Sequence, residues 1–267
     1  MKIAAVQMVS SPSVERNLQR AAELVAEAAR AGAGLVGLPE YFCLMGERDA
    51  DKLEHAEADG SGPIQAALSE MALEHGVWLI GGTMPMRIDG RTDRATNTNL
   101  VFDPKGRRVA RYDKIHLFRF DDGERRYDEA ATLEAGTTPA AFDMDGLRVG
   151  LSVCYDLRFP ELYRALSATP CDLLSVPSAF TYPTGQAHWE LLLRARAVEN
   201  QCYVMAPAQG GRHLNGRRTW GHTMIVSPWG EVLGEHAEGE GVVVAELDRA
   251  RIAQVRAQLP ALTHRKL

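Results

Sequence analysis

The chain has few cysteines and no long hydrophobic run. Four cysteines occur among 267 residues, and no two of them have CxxC spacing. This pattern excludes a disulfide-dense secreted scaffold and a zinc ribbon, and it predicts reduced thiols. No apolar run reaches the roughly 20 residues that span a bilayer, and the apolar stretch near the N-terminus is too short for a signal peptide. We therefore expect a cytoplasmic protein with no membrane segment.

An excess of basic charge is also missing. Lysine and arginine total 30 against 35 acidic residues, for a formal net charge of −5. The arginine pairs at 107–108, 125–126 and 217–218 are scattered among acids, which favours solvated faces and excludes a nucleic-acid platform. The glycine pairs at 81–82 and 210–211 lack the lysine and hydroxyl pattern of a phosphate loop, so ATP is not implied.

The composition that is present is typical of a soluble α/β protein. Hydrophobic residues make up 45% and charged residues 24%, and no Pro/Gly/Ser-rich linker divides the sequence. We expect a single domain over residues 1–267, with disorder limited to loops and to a C-terminal tail from about 249. Apolar strand patterns and helical periodicities alternate along the chain, which suits two sheets stacked between helix layers. The main predicted strands are 3–8, 35–38, 77–83, 97–102, 107–114, 147–153, 172–177, 202–208, 222–226, 232–235 and 242–247, and the main helices are 14–30, 64–75, 161–167 and 186–201.

Three chemically active residues follow predicted strands. Glu40 comes after 35–38, Lys114 ends 107–114, and Cys154 follows 147–153 directly. Because the carboxyl ends of strands in open α/β sheets converge on the ligand crevice, an acid, an amine and a thiol would meet there. Glu40 would take the thiol proton, Cys154 would attack a carbonyl, and Lys114 would stabilise the oxyanion.

The turn after Cys154 supports the assignment of this residue as a nucleophile. Backbone N–H groups there, Tyr155 first, would point at an oxyanion beside the sulfur, and the helix that follows would favour negative charge. We therefore expect a pre-activated thiol. The alternatives are that Cys154 is a small buried hydrophobe and that Glu40 and Lys114 are ordinary solvated charges.

The contexts of these residues resemble the nitrilase, or carbon-nitrogen hydrolase, superfamily. The matching motifs are Leu38-Pro39-Glu40, Asp113-Lys114-Ile115-His116-Leu117 and Val153-Cys154-Tyr155-Asp156-Leu157-Arg158-Phe159-Pro160-Glu161. The resemblance extends from Ile3 to Leu247. It implies a four-layer α-β-β-α sandwich, a Glu-Lys-Cys triad, a homodimer paired through a helical face, and neither a metal nor an organic cofactor.

Further motifs narrow the resemblance to the branch of deaminated glutathione amidases and omega-amidases. They are 177–180, 188–204, 208–213 and 221–230, of which 209–213 favours the former. The resemblance implies a small amide substrate that bears carboxylates: deaminated glutathione, cleaved to 2-oxoglutarate and cysteinylglycine as metabolite repair. The alternatives are an omega-amidase acting on 2-oxoglutaramate and a broader aliphatic amidase or nitrilase.

Additional site residues follow from the same resemblance. Glu129 lies where related sequences carry an auxiliary glutamate, although the stretch 120–126 before it departs from the branch pattern, so a lid-like loop there would differ. Three arginines are candidates for binding substrate carboxylates. Arg158 follows the nucleophile closely and is the preferred candidate, whereas Arg194 has helical acid partners; the third is Arg212.

Other readings of the sequence explain less of it. His188-Trp189-Glu190 mimics half of a zinc deaminase motif, but Cys171 precedes it and lacks a second cysteine at the required spacing. A papain-type thiol hydrolase would use His188, His213 or His222 and would leave Glu40 and Lys114 without a role. A non-catalytic dimeric scaffold would not need the triad.

Overall fold

The computed structural model describes residues 1–121, 123 and 126–266. Six α-helices occur in these ranges: α1 (Val14–Arg30), α2 (Asp51–Glu54), α3 (Pro63–His75), α4 (Pro160–Leu166), α5 (Tyr182–Asn200) and α6 (Arg249–Gln258). Helix α1 begins where Ser13 caps the backbone N–H of Arg16, and α3 begins with a proline in its first turn. None of the helices in the described ranges is long and apolar enough to cross a membrane.

The first sheet contains seven strands. They are β1 (Lys2–Gln7), β2 (Ala33–Gly37), β3 (Trp78–Ile80), β4 (Met84–Arg87), β5 (Ala95–Phe102), β6 (Arg108–Asp113) and β17 (Gly241–Glu246). The order is β17-β1-β2-β3-β5-β4, with β6 also paired to β5. Strands β1, β2 and β3 are parallel, and β5 runs antiparallel to both β3 and β6. The carboxyl ends of β2 and β6 therefore lie at the same edge.

The second sheet contains six strands. They are β9 (Ala140–Met144), β10 (Leu147–Leu151), β11 (Leu173–Ser175), β12 (Tyr203–Ala206), β15 (Thr223–Val226) and β16 (Val232–His236), in the order β16-β15-β12-β11-β10-β9. Two small hairpins lie outside both sheets: β7 (Arg119–Asp121) with β8 (Arg126–Asp128), and β13 (Gly210–Arg212) with β14 (Arg218–Trp220).

Packing of the apolar side chains confirms the predicted four-layer α-β-β-α sandwich. One cluster places residues of α1 and α3, such as Leu24 and Leu68, against one face of the first sheet. The other cluster joins the opposite face of that sheet, including Val101, to the second sheet and to α4 and α5. The two sheets thus pack against each other, and a helix layer covers each outer face.

The C-terminal segment differs from its prediction as a tail. Residues 249–258 form α6, whose Ile252 and Val255 are buried. Arg256 on this helix donates to the carbonyl of Cys171 at 2.6 Å and lies 3.3 Å from Asp172. Because α6 contains several arginines and only a short apolar stripe, the sequence of this segment resembles that of a solvated tail.

The segment 118–139, for which the sequence predicts neither a strand nor a helix, contains more structure than expected. It holds the β7–β8 hairpin and a 3₁₀ turn at Glu129–Ala131. The lid-like loop predicted around 120–126 includes Asp122, Glu124 and Arg125, which lie outside the described residues. Strands β4, β9, β13 and β14 were also absent from the prediction, because short strands carry little periodic signal.

Candidate active site

The structure brings Glu40, Lys114 and Glu129 together in one buried cluster. The Nζ of Lys114 lies 2.8 Å from Oε1 of Glu40 and 2.8 Å from Oε2 of Glu129. Asn97 donates to the same Glu40 oxygen at 2.9 Å, and the Tyr41 hydroxyl donates to Glu129 at 2.7 Å. Lys114 and Glu40 are 1% exposed. A buried ammonium is thus held between two carboxylates, one of which is Glu129.

The backbone near Glu40 is constrained by close packing. Gly82 has φ +59°, and a Cβ there would lie 2.2 Å from the carbonyl oxygen of Pro39. Only glycine fits this contact, in which the backbone before Glu40 packs closely against the residues that follow β3. Tyr41, directly after Glu40, has φ +56°. The loop is therefore fixed in a conformation that its own residues do not favour.

Cys154 occupies a second strained turn. Its φ is +49°, and its backbone N–H donates to the carbonyl of Pro177 at 2.9 Å. Left-handed conformations at residues other than glycine cost energy and are concentrated at functional sites. The residue begins a 3₁₀ helix, Cys154–Arg158. Within the described ranges, the backbone N–H of Tyr155 donates to no backbone carbonyl outside this helix. That N–H is available to a ligand.

The two carboxylates have opposite pKa shifts. Burial raises the pKa of Glu40, and the nearby Glu129 adds to this, while Lys114 and the Cys154 thiol lower it only in part. Burial also acts to raise the pKa of Glu129, but attraction to Lys114 and hydrogen bonds outweigh it, and the net pKa is lowered. The charged form of Glu129 is therefore favoured, and Glu40 binds a proton more readily than an ordinary glutamate, as a general base does.

Lys114 stays protonated in this setting. Burial alone would lower its pKa, but attraction to Glu129 and Glu40 outweighs burial and holds the pKa well above its ordinary value. An ammonium has three N–H donors. Glu40 accepts one hydrogen bond at 2.8 Å, and the two oxygens of Glu129 accept at 2.8 Å and 3.1 Å. A substrate oxygen that binds the ammonium would therefore replace the longer contact with Glu129.

The thiol of Cys154 is not pre-activated, contrary to the prediction. Burial and the negative charge of Glu40 raise its pKa well above the ordinary value, although Lys114 and a hydrogen bond with the Ala179 backbone lower it in part. The resting side chain is a neutral thiol beside a carboxylate. The sequence prediction considered the helix dipole and omitted the cost of burying a thiolate next to an anion.

Asp156 is a site residue that sequence reasoning missed. This fully buried carboxylate accepts from the backbone N–H of Val153 at 2.8 Å, from the Tyr112 hydroxyl at 2.7 Å and from the backbone N–H of His116 at 3.0 Å. It therefore ties the turn that carries Cys154 to the segment that carries Lys114. The spacing of two residues after Cys154 was the available signal.

A cleft opens over the cluster. Glu40, Glu129 and Cys154 all line it. The other charged side chains in its lining are Lys52, Arg217, Arg218, Asp49 and Asp128.

The cationic side chains around the cleft differ from the predicted set. Arg158, the preferred candidate for binding substrate carboxylates, lines a side pocket that also contains Cys154. Arg194 is excluded, because it lines none of the pockets at the cleft and instead contacts Glu190 at 3.0 Å and the Gly230 carbonyl at 2.8 Å. The interpretation of 217–218 as a solvated arginine pair is wrong, since both side chains line the cleft. Arg212 lies farther out, next to this pair.

The histidines have structural partners and leave the papain-type reading without support. The ring of His213 contacts the Ser10 carbonyl at 2.9 Å and the Thr219 hydroxyl at 2.8 Å. His222 pairs with Glu235. Neither histidine lines the cleft beside Cys154. The thiol therefore has Glu40, not a histidine, as its nearest base.

Comparison with known proteins agrees with this geometry. A model of the carbon-nitrogen hydrolase family matches residues 2–257. The chain belongs to this family. It is therefore a hydrolase of carbon–nitrogen bonds, which confirms the predicted recognition and enzyme class and disfavours the scaffold reading.

Individual relatives match over almost the whole chain. A deaminated glutathione amidase of Synechocystis sp. is 44% identical over 265 residues, which are 98% of this chain and 97% of the relative. An omega-amidase of Xenopus tropicalis is 40% identical over 267 residues, covering 99% and 95% of the two chains. The crystal structure of the C. elegans NitFhit protein matches with a TM-score of 0.91 and 37% identity over 99% of this chain. This chain spans only 65% of the NitFhit chain.

Proposed function

We propose that this carbon-nitrogen hydrolase cleaves a linear amide through a thioester on Cys154. The observation that carries the proposal is the 2.8 Å contact between the buried Lys114 and Glu40, because Glu40 lines the same cleft as Cys154. The arrangement supplies a nucleophile, a base with raised proton affinity and a fixed cation within one water-poor site. These are the three components that amide hydrolysis requires.

The acylation step uses all three residues. The sulfur of Cys154 bonds to the amide carbonyl carbon while its proton passes to Glu40. The carbonyl π electrons move onto oxygen, where the charge is stabilised by the backbone N–H of Tyr155 and by an N–H of Lys114 that exchanges its longer contact with Glu129 for the substrate. The carbon–nitrogen bond then breaks, and Glu40 returns the proton to the leaving amine. Glu129, whose pKa is lowered, keeps Lys114 charged and in position.

Hydrolysis of the thioester uses the same groups, with water as the nucleophile and the sulfur as the leaving group. Glu40 takes a proton from a water molecule whose oxygen attacks the thioester carbonyl carbon. The same two donors stabilise the second oxyanion, the carbon–sulfur bond breaks, and Glu40 returns the proton to the sulfur. The products are the free acid and the neutral thiol that the raised pKa of Cys154 favours.

We further propose deaminated glutathione as the substrate, with release of 2-oxoglutarate and cysteinylglycine. The Synechocystis relative of that name supports this choice. Lys52, Arg217 and Arg218 in the cleft, and Arg158 in its side pocket, suit a substrate that carries carboxylates. An omega-amidase activity on 2-oxoglutaramate is the second candidate, because the Xenopus relative has that name.

Steady-state kinetics distinguishes the two substrates. We expect kcat/KM for deaminated glutathione to exceed that for 2-oxoglutaramate at least about tenfold, equivalent to one extra charge-assisted contact. Release of 2-oxoglutarate is the shared readout. The reverse preference would assign the enzyme as an omega-amidase. Activity on neither compound would refute both substrates while leaving the chemistry open.

The pH dependence should report the base. Because the pKa of Glu40 is raised, kcat/KM should fall as the pH decreases through a value above about 4.3, the ordinary glutamate pKa. Glu129→Gln removes an anion that raises this pKa, so its acid limb should move to lower pH, whereas Glu40→Gln should lose the limb along with most activity. An acid limb that persists unchanged in Glu40→Gln would contradict the assignment of the base.

We propose that the protein is a single-domain cytoplasmic homodimer. Leu191 and Val198 on α5 and the neighbouring Trp229 are 68%, 47% and 50% exposed, and this apolar surface supports pairing through the α5 face. Sedimentation velocity would contradict the dimer if the protein were monomeric at micromolar concentration. Stable fragments in limited proteolysis would contradict the single domain, and recovery in a membrane or secreted fraction would contradict the location.

A further inference from the structure

The cleft continues outward into a second compartment with a different charge. Tyr127, Arg217 and Arg218 line both parts, and Arg212 lines only the outer one. The inner compartment contains carboxylates, including Glu40 and Glu129. The outer compartment is lined by three arginines and, among the described residues, by no carboxylate side chain. An anion that enters this compartment therefore meets cationic and neutral groups, and no carboxylate among the described lining residues.

The arginines of the outer compartment are placed close to one another by the β13–β14 hairpin. Arg212 and Arg218 are directly opposite in the antiparallel register. Like charges at opposed positions destabilise a strand pair. The only carboxylate within 4 Å of Arg218 in the described ranges is Glu238, at 3.6 Å, so its charge is weakly compensated. A bound anion would relieve this repulsion.

Two of these guanidinium groups are held in place by aromatic rings. Arg218 lies over the ring of Tyr182 at 3.7 Å, and Arg217 lies over the ring of Tyr127 at 5.8 Å. Arg217 is also anchored by Asp49 at 2.5 Å. Stacking fixes the plane of a guanidinium and leaves its N–H edge free for a carboxylate. The groups are thus ordered before a ligand arrives.

We propose that the outer compartment binds the carboxylate of the amine leaving group, chiefly through Arg218 and Arg212. This inference rests on the proposed function, because it takes the acyl group to lie beside Cys154 in the inner compartment. The leaving group of an unsubstituted amide is ammonia and cannot reach the outer arginines. A peptide leaving group with a free carboxylate can. The compartment would therefore determine the preference for a peptide-like amide.

The test uses two substrates with the same 2-oxoglutaryl acyl group. One has cysteinylglycine as its leaving group, and the other has cysteinylglycine amide, which lacks the terminal charge. For the wild-type enzyme we expect kcat/KM to be about ten- to a hundredfold higher for the carboxylate form, the range of one or two charge-assisted hydrogen bonds. In Arg218→Gln and Arg212→Gln this ratio should fall toward one, because kcat/KM should decrease more for the carboxylate substrate than for the neutral one.

A matched control is Arg91→Gln. Arg91 is an exposed arginine paired with Asp93 and Glu134, and it lines neither compartment. It should keep the wild-type ratio. A wild-type ratio near one, or a ratio unchanged in both cleft variants, would overturn the assignment of the compartment while the amidase function stands. Hydrolysis of neither substrate by the wild-type enzyme would instead refute the proposed substrate.

Discussion

Replacing Cys154 with alanine should reduce turnover by at least about ten-thousandfold, because no other group in the cleft can form the thioester. Glu40 and Lys114 would still polarise a bound amide, so substrate binding should persist. The fold should persist as well, since the substitution removes only a sulfur at the surface of a cleft. Enzyme assays and thermal unfolding of the same preparation check both expectations.

Cys171→Ala is the matched control. Cys171 is also buried and free, and burial raises its pKa to about 11, but it lies against the Leu166 carbonyl, away from the cleft. This variant should keep its activity and lose only stability. In the wild-type protein, iodoacetamide should label Cys154 first, because it is the most exposed of the four thiols at 8%. Near-normal turnover in Cys154→Ala would eliminate the covalent mechanism.

Replacing Lys114 with alanine should damage both activity and stability. Loss of the oxyanion donor should cost at least about a hundredfold in turnover. Removing one partner of a buried ion pair typically costs about 3–5 kcal/mol, and here two carboxylates, Glu40 and Glu129, would remain buried and unpaired. Denaturant unfolding at several pH values measures the effect on stability.

The sign of the pH dependence follows from the two carboxylates. Without the ammonium, burial and mutual repulsion raise the folded-state pKa of Glu40 and Glu129 above the unfolded value of about 4.3. A raised acid pKa contributes stability below the unfolded pKa and loses it as the pH rises through the folded pKa. The deficit of Lys114→Ala relative to the wild type should therefore grow between pH 4 and 7. A deficit independent of pH would show that the ion pair is not its source.

Lys52→Ala provides the comparison for stability. Lys52 lines the same cleft, is half-buried, and has its pKa lowered by burial. No hydrogen bond or ion pair joins it to a carboxylate within the described residues. Its removal should cost much less than that of Lys114. Equal losses would indicate a general packing defect at the cleft.

The cluster that we propose to be catalytic was predictable because its residues follow strands. Glu40, Lys114 and Cys154 lie beyond β2, β6 and β10. Glu40 and Cys154 also stand out as polar or reactive residues after an apolar run. Their meeting follows from the convergence of strand ends. Their protonation states did not follow. Whether Cys154 is a thiol or a thiolate depends on burial and on the distance to Glu40, and neither is written in the local sequence.

The cationic lining was predicted less well. Arg194 was a candidate on residue type alone, and its helix turns it toward Glu190 and Gly230. Arg217 and Arg218 were assigned to solvent because the arginine pairs are scattered among acidic residues along the chain. A charge pattern in sequence does not show which side chains a hairpin aims at a cleft about 60 residues away from the nucleophile.

The sequence by itself determined the family, the four layers and the identity of the three central residues, because strand and helix periodicities and short motifs are local properties. The tertiary structure decided the protonation states and the surroundings of these residues. It set the proton affinity of Glu40, the neutral state of Cys154, the clamp made by Asp156 and the cationic outer compartment, since each of these results from burial and charge contributed by segments that are distant along the chain.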